Sequence, residues 1–357
     1  MTQAGTDPGA DPGTDPARPF SAITVLSGGI GGARFLQGLL RLVADPGDAP
    51  VATDARITVI ANTADDIWLH GLKVCPDLDT VMYTLGGGID TERGWGRTGE
   101  TWHVKDELAA YGVGPAWFGL GDRDLATHLV RTQMLEAGYP LSAVTAALCD
   151  RWQPGVDLLP MSDDRVETHV VIDDPAEPSG QRAVHFQEYW VRLHAEVPAR
   201  AVVPVGLETS APAPGVLAAI TDADLVLLPP SNPVVSVGTI LGVPGVRDAI
   251  ERTAAPVVGL SPVVAGSHVR GMAAQLLTAL GVEVSAAGVA GHYGPRRNGG
   301  GGGVLDGWLV DTVDEPEVDR VRAAGIACRA VPLMMTDHDA TAAMAAAALA
   351  LAREVPS

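Results

Sequence analysis

Short apolar runs alternate along this chain with longer stretches in which apolar positions recur at helical spacing. The runs predict strands at 22–27, 56–61, 167–173, 182–186, 201–206, 223–228, 256–260, 283–287, 305–311 and 327–331. The helical spacing predicts helices at 33–44, 77–85, 103–111, 122–137, 141–151, 214–221, 245–253, 269–280 and 338–352. Such alternation predicts an α/β fold, a doubly wound, mostly parallel, Rossmann-like sheet covered on both faces. The block at about 77–160 is mostly helical and reads as an insertion capping the sheet's C-terminal edge. Residues 175–181 join two strand candidates and read as a hairpin loop. Residues 1–19, with repeated Asp-Pro-Gly and few apolar groups, read as a disordered tail. That leaves 20–357 as a single domain, with the glycine run at 298–303 a flexible connection.

Candidate chemistry gathers where strands end. After the apolar run Ile57-Thr-Val-Ile-Ala61 come Asn62-Thr-Ala-Asp-Asp66 and, beyond it, Pro76-Asp-Leu-Asp-Thr80. Open α/β sheets bind ligands beyond the carboxyl ends of their strands. Asp65, Asp66, Asp77 and Asp79 would repel one another there unless a hard divalent cation such as Mg²⁺, or a substrate donor, lay between them. Helix capping by Asp65 or Asp77 is the other reading of these acids. A second strand end carries Ser27-Gly-Gly-Ile-Gly-Gly32 before the apolar helix pattern from Phe35. Strand, glycine turn and helix aim backbone N–H groups at a phosphate, which makes Gly28, Gly29, Gly31 and Gly32 nucleotide candidates. No Lys-Ser/Thr follows, and the glycine spacing differs from the regular dinucleotide fingerprint, which weakens a nicotinamide oxidoreductase. A tight turn packing a helix on the sheet is the plainer alternative. At a third strand end, Ser231 and Asn232 offer a hydroxyl and an amide to a nucleotide, or simply close an Asn-Pro turn.

Composition narrows the field. The 357 residues carry a formal net charge of −19, against the basic face that a nucleic-acid backbone requires. A small phosphorylated ligand remains compatible, because loop amides, a metal and Arg34, Arg93, Arg97 or Arg123 can focus positive charge locally. Cys75, Cys149 and Cys328 form no metal-spaced pair and suit a reducing compartment. With no basic-then-apolar leader and no long apolar span, the expectation is a cytoplasmic protein that meets no membrane. Elsewhere, Asp122 reads as a helix cap, Arg123 and Asp124 as an ion pair, and Ser162-Asp-Asp164 as a capping turn. His185-Phe-Gln-Glu-Tyr-Trp190 reads as a pocket wall or a half-buried strand.

Taken in order, these motifs resemble the 2-phospho-L-lactate transferase family of deazaflavin coenzyme F-420 biosynthesis. The resemblance rests on Ser27-Gly-Gly-Ile-Gly-Gly, Asn62-Thr-Ala-Asp-Asp, Cys75-Pro-Asp-Leu-Asp-Thr-Val, Leu120-Gly-Asp-Arg-Asp-Leu-Ala-Thr-His, Leu159-Pro-Met-Ser-Asp-Asp, His185-Phe-Gln-Glu-Tyr-Trp and Pro230-Ser-Asn-Pro-Val-Val-Ser. Gly31-Gly-Ala-Arg-Phe, Gly86-Gly-Gly-Ile-Asp90 and Asp150-Arg-Trp-Gln-Pro-Gly155 are similar to its actinobacterial branch.

The resemblance implies a reaction in which the terminal ribityl hydroxyl of the deazaflavin Fo attacks the outer phosphorus of a guanosine-diphosphate-linked three-carbon acid. GMP leaves and a phosphodiester forms, with Mg²⁺ as cofactor. The actinobacterial branch uses an enolpyruvyl donor and gives dehydro-F-420-0; a lactyl donor is the alternative within the family. The family pattern implies Fo contact at Asp79, where a carboxylate can orient the hydroxyl, hold the metal or accept its proton. On physical grounds Asp66 joins Asp79 as a catalytic candidate, Asn62 and Arg93 join it as Fo contacts, and Asp65, Asp66 and Asp79 are the candidate metal ligands. The glycine loop with Ser231 and Asn232 takes the nucleotide, and Arg93 or Arg123 is a weaker candidate for charge on the transferring phosphorus. The resemblance also implies a homodimer and a guanylyltransferase partner that supplies the donor. A non-catalytic, nucleotide-sugar-binding regulator is the rival from another class.

Overall fold

The computed structural model describes residues 18–268, 272–297 and 302–355. Seven parallel strands form its central sheet: β1 (Phe20–Ser27), β2 (Val51–Ala61), β3 (Asp157–Pro160), β4 (Leu225–Leu228), β5 (Val257–Leu260), β6 (Gly307–Val310) and β7 (Ala327–Ala330). Their spatial order is β7-β6-β5-β4-β1-β2-β3. The chain winds outward from β1 through β2 to β3, then returns to the other side of β1 at β4. The winding reverses between β1 and β4, where doubly wound sheets open a ligand crevice. All four residues of β4, β5 and β6 are buried, because helices cover both faces and no solvent side demands polar alternation.

One covering layer consists of α1 (Gly29–Ala44), α2 (Pro76–Leu85), α5 (Leu141–Trp152) and the C-terminal helix His338–Ala352. Phe35, Leu39, Leu78, Val81, Leu148 and Leu349 share its apolar core with β1 and β2. Between α2 and α5 lie α3 (His103–Ala110), which buries no residue, and α4 (Asp122–Glu136), which buries only Thr127, His128, Arg131 and Thr132. Of the helical block, α3 stands apart from the sheet's core, while α4 meets it through half-buried Met134 and Leu135 near its C-terminus. A small antiparallel hairpin, Ile67–Leu69 with Leu72–Val74, supports them through Leu69, Val74 and Leu120.

Three predictions of local structure change. Strands Glu167–Asp173, Gln181–His185 and Ala199–Val205 are strands, with the expected hairpin turn, but they form a separate antiparallel sheet. Their alternating burial suits a sheet with one solvated face. The run at 283–287 is not a strand. Ser285 Oγ accepts the Gly288 N–H at 2.9 Å and caps the helix Ala286–Tyr293, whose alanines favour helix once that cap is in place. The edge strand β3 was missed because its apolar core, Leu158 and Leu159, is too short to register as a run. The tail at 1–19, apart from Arg18 and Pro19, and most of the glycine run at 298–303 lie outside the described residues. No described helix is long and apolar enough to cross a membrane, and all three cysteines are free thiols.

Candidate active site

The loops after β1 and β4 close on each other at the switch point. Ser231 Oγ donates to Gly28 O at 2.8 Å, and Gly28 N–H donates to Ser231 Oγ at 3.2 Å. A Cβ on Gly31 would lie 2.4 Å from Pro230 O, and one on Gly32 only 1.9 Å from Ser27 Oγ. These glycines let α1 start against the β4 loop, where the Gly29 N–H meets the Asp77 carboxylate; a helix N-terminus of this kind is where anions bind. Gly29 differs: its φ is +62° and its missing Cβ has only Asp77 Oδ1 nearby, at 3.6 Å. Asn232 does not reach outward, because its Oδ1 accepts Val234 N–H at 2.9 Å and Val235 N–H at 3.2 Å.

Beside this loop four carboxylates are buried with two cations. Lys73, on the hairpin, sits 3.1 Å from Asp66, and Arg131 on α4 pairs with Asp79. Asp65 and Asp77 have no cationic partner among the described residues. Burial pushes the Asp65 carboxyl well above its usual range, and the charge of Asp77 adds to that. Burial likewise raises Asp77 to about 6, although Asn62 Nδ2 donates to its Oδ2 at 3.0 Å. Burial raises Asp66 too, with Lys73 opposing. Such an arrangement asks for one more positive charge near Asp65 and Asp77.

Asp79 faces a different set of partners. Arg131 Nη1 donates to Lys73 O at 3.3 Å and lies 3.0 Å from His128 Nδ1. A guanidinium only donates, so Nδ1 accepts and the ring proton sits on Nε2, 3.3 Å from Asp124 Oδ2. Tyr83 OH donates to Asp124 Oδ1 at 2.7 Å. Burial works against ionised Asp124, yet His128 and Tyr83 hold its carboxyl below the ordinary value. Asp124 therefore pairs with His128, not with Arg123 as the sequence suggested.

The separate antiparallel sheet braces the acid loop from its backbone. Gln187 Nε2 donates to Asp65 O at 3.0 Å. His185 Nδ1 accepts Gln187 N–H at 3.1 Å, so its Nε2 carries the proton and donates to Asp66 O, also at 3.1 Å. Thr168 N–H donates to Ala64 O at 2.7 Å. The stretch read as a pocket wall or half-buried strand thus acts as a clamp on Asp65 and Asp66.

Gly28, Gly29, Gly31, Gly32, Ser231, Asn62, Asp65 and Asp66 are brought together at the ends of β1, β2 and β4. Asp79 shares their neighbourhood, but its carboxylate is turned to Arg131 and His128. Among the described residues no three His, Cys, Asp or Glu groups form a ready-made metal cluster, so Asp65, Asp66 and Asp79 do not converge as one ligand set. Arg93 is held in its own loop by Asp90 at 2.9 Å and lies over the rings of Trp95 and Trp102. Arg123 Nη1 donates to Thr98 O, and its backbone N–H to Glu100. Both arginines stitch the 90–102 loop instead of joining the acids. Asp122 caps a helix as read, but the helix is α3: its carboxylate accepts His103 and Val104 N–H. Asp163 accepts Ser142 N–H at the start of α5. Sequence reading missed Lys73 and Arg131 as the countercharges, and it placed Asp77 in the acid cluster without giving it a role. Neither a lysine seven residues on nor an arginine fifty-two residues on carries a local signal of its partner.

The family model described as 2-phospho-L-lactate transferase CofD matches residues 23–349. A phosphoenolpyruvate transferase of Streptomyces avermitilis is 70% identical over 333 residues, covering 93% of this chain and 98% of that protein. One of Streptomyces coelicolor is 68% identical with the same coverage, and one of Thermobifida fusca 60% identical over 336 residues, again covering 93% and 98%. A crystal structure of a Bacillus halodurans protein of the UPF0052 family matches with a TM-score of 0.55 at 16% identity, covering 93% of this chain and 99% of the other. At that identity it shows a shared fold.

Proposed function

Because the chain belongs to the 2-phospho-L-lactate transferase CofD family, we propose that it transfers a phosphoenolpyruvyl group from enolpyruvyl-2-diphospho-5'-guanosine to Fo (7,8-didemethyl-8-hydroxy-5-deazariboflavin), yielding dehydro coenzyme F-420-0 and GMP. The observation that carries this reading is the 68–70% identity, over 93% of the chain, to proteins named phosphoenolpyruvate transferase.

The site's chemistry is compatible with that reaction. The new bond joins the ribityl oxygen to the outer phosphorus; the broken one joins that phosphorus to the oxygen that leaves with GMP. Such a transfer needs alignment and charge neutralisation more than covalent help. The glycine loop and the first N–H groups of α1 suit the diphosphate. Asp65 and Asp77, with Asn62 beside them, are the two buried acids of this site without a countercharge, and Asp65 Oδ1 has no hydrogen-bond partner among the described residues. That hard-oxygen set fits Mg²⁺, which when bound supplies positive charge against the diphosphate. Asp66, neutralised by Lys73, supports this pair. Asp79 keeps Oδ2 free of hydrogen bonds while Arg131 holds its other oxygen, which suits it to receive the attacking hydroxyl of Fo. A cytoplasmic homodimer supplied by a guanylyltransferase completes the proposal.

The test is a coupled assay with purified protein, Fo, Mg²⁺, GTP and the guanylyltransferase. Phosphoenolpyruvate and 2-phospholactate are offered separately and products are read by mass. A dehydro product from phosphoenolpyruvate supports the proposal. A saturated product from phospholactate alone moves the donor to lactyl. No product from either, with the partner enzyme shown active, overturns the reaction.

A further inference from the structure

Helices α2 and α4 present polar side chains to each other at helical spacing. Asp79 and Tyr83 stand four apart on α2, while Asp124, His128 and Arg131 stand four and three apart on α4, so each set shares one face. Asp79, Tyr83, His128 and Arg131 are buried, and Asp124 is half-buried. Together the five side chains close a ring between the helices. Tyr83 OH donates to Asp124 Oδ1 at 2.7 Å, and Asp124 Oδ2 lies 3.3 Å from His128 Nε2. Arg131 Nη1 lies 3.0 Å from His128 Nδ1, and the same guanidinium pairs with Asp79, which returns the chain to α2.

One oxygen of the ring is left over. Asp79 Oδ2 has no hydrogen-bond partner among the described residues, and His128 Nδ1 lies 3.7 Å from it. Whether that oxygen stays free depends on which nitrogen of His128 carries the proton. With the proton on Nε2, Nδ1 accepts from Arg131 and offers Asp79 nothing. With the proton on Nδ1, the ring would face the Arg131 N–H donor against donor and would turn its own N–H to Asp79 Oδ2. An ionised Asp124 only accepts, so it selects the Nε2 proton. Burial opposes that charge, yet His128 and Tyr83 hold the Asp124 carboxyl below its ordinary value. Tyr83, by donating to the other oxygen, fixes which way the carboxylate faces.

We infer that Tyr83, Asp124 and His128 are positioning residues for the transfer: they hold His128 as the Nε2–H tautomer, which fixes the Arg131 guanidinium and keeps Asp79 Oδ2 free to accept a hydrogen bond from the attacking hydroxyl. All three act through Arg131 and Asp79. The chain matters to turnover only if Asp79 meets that hydroxyl, so this role rests on the proposed reaction and adds to it the residues that align its accepting oxygen.

Asp124→Asn tests the tautomer directly. Tyr83 still donates to the side-chain oxygen, so the amide N–H turns to His128 Nε2 and drives the ring proton to Nδ1. Protein labelled with ¹⁵N-histidine is followed by NMR without substrate, and His128→Asn identifies the signal among the nine histidines. The parent is expected to show the proton on Nε2 and Asp124→Asn to show it on Nδ1. In the coupled assay, kcat of Asp124→Asn should fall roughly tenfold to a hundredfold with the KM for Fo within about threefold. Tyr83→Phe keeps its ring against Trp152, 4.8 Å away, and should lower kcat severalfold by the same route. In His128→Asn the amide oxygen replaces Nδ1 as the acceptor for Arg131 and has no tautomer to lose, so adding Asp124→Asn should lower kcat no further. A parent proton on Nδ1, a moved proton with unchanged kcat, unchanged kcat in Tyr83→Phe, or an equal loss from Asp124→Asn in both backgrounds overturns the role. A parent that converts no Fo overturns the proposed reaction instead, and the tautomer, read without substrate, keeps the two failures apart.

Discussion

Asp77 and Asp79 sit two residues apart on α2 and serve different surroundings: Asp77 accepts from Asn62 beside the glycine loop, while Asp79 is paired with buried Arg131. Side chains at i and i+2 diverge on a helix, so one Pro-Asp-Leu-Asp sequence supplies two sites at once. Of the two, Asp77 lacks a countercharge. The consequences can be measured.

Removing each charge should have opposite effects on stability. Asp79→Asn strands Arg131 in the interior and should cost about 3–5 kcal/mol together with turnover. Asp79→Asn/Arg131→Met should recover much of the melting temperature but not the activity. Asp77→Asn relieves repulsion of Asp65 and should leave stability equal or higher while lowering kcat by about a hundredfold or more. Thermal melts and single-turnover rates on the three variants decide the matter; a destabilised Asp77→Asn with a stable Asp79→Asn would reverse the assignment.

The pH dependence follows from Asp77, whose folded carboxyl is raised from 3.8 to about 6. An acid that binds its proton more tightly when folded contributes stability below its unfolded value. That contribution is lost as pH rises from about 4 through 6. In the metal-free protein the loss should reach about 3 kcal/mol. Denaturant curves of the parent minus those of Asp77→Asn isolate it from other carboxylates. Adding Mg²⁺ above pH 6 should restore stability in the parent and not in the variant; a flat difference curve would refute the pairing.

At the switch point, glycines should differ by cause. Gly31→Ala drives a methyl to 2.4 Å from the Pro230 carbonyl, so α1 must move off the β4 loop. A loss of about 1–3 kcal/mol and weaker GDP binding are expected. Gly29→Ala meets no close atom and should cost about 1–2 kcal/mol, through its left-handed backbone alone. Melts and calorimetric GDP titrations separate the two; equal nucleotide affinity in Gly31→Ala would mean the α1 terminus does not bind phosphate.

Gln187 touches the Asp65 carbonyl but lies just beyond a strand of the separate sheet, at the start of the short helix Glu188–Arg192. Gln187→Ala should leave the global melt within about 1–2 kcal/mol while lowering kcat and raising the Mg²⁺ concentration for half-maximal rate. A change in neither kinetic value would make the clamp purely architectural.

Much of this was legible before any coordinates. The alternation of apolar runs and helical patterns marked nearly every strand of the parallel sheet, because buried parallel strands are continuous hydrophobic runs. The glycine loop and the acid-rich turns were visible because strand ends and glycines are local signals. The error at 283–287 has a local cause as well: Ser285 and its alanines form a capped helix that a short apolar run cannot distinguish from a strand.

The sequence by itself determined the fold class, the strand ends that carry chemistry and the family. Only the tertiary structure decided which acid is neutralised by which base. Lys73 lies seven residues from Asp66, Arg131 fifty-two from Asp79, and Gln187 over a hundred from Asp65. Local patterns encode which face of a strand or helix is buried. Charge pairing depends on which elements the sheet order and the inserted helices bring within a few ångströms, and that is settled only when the chain has packed.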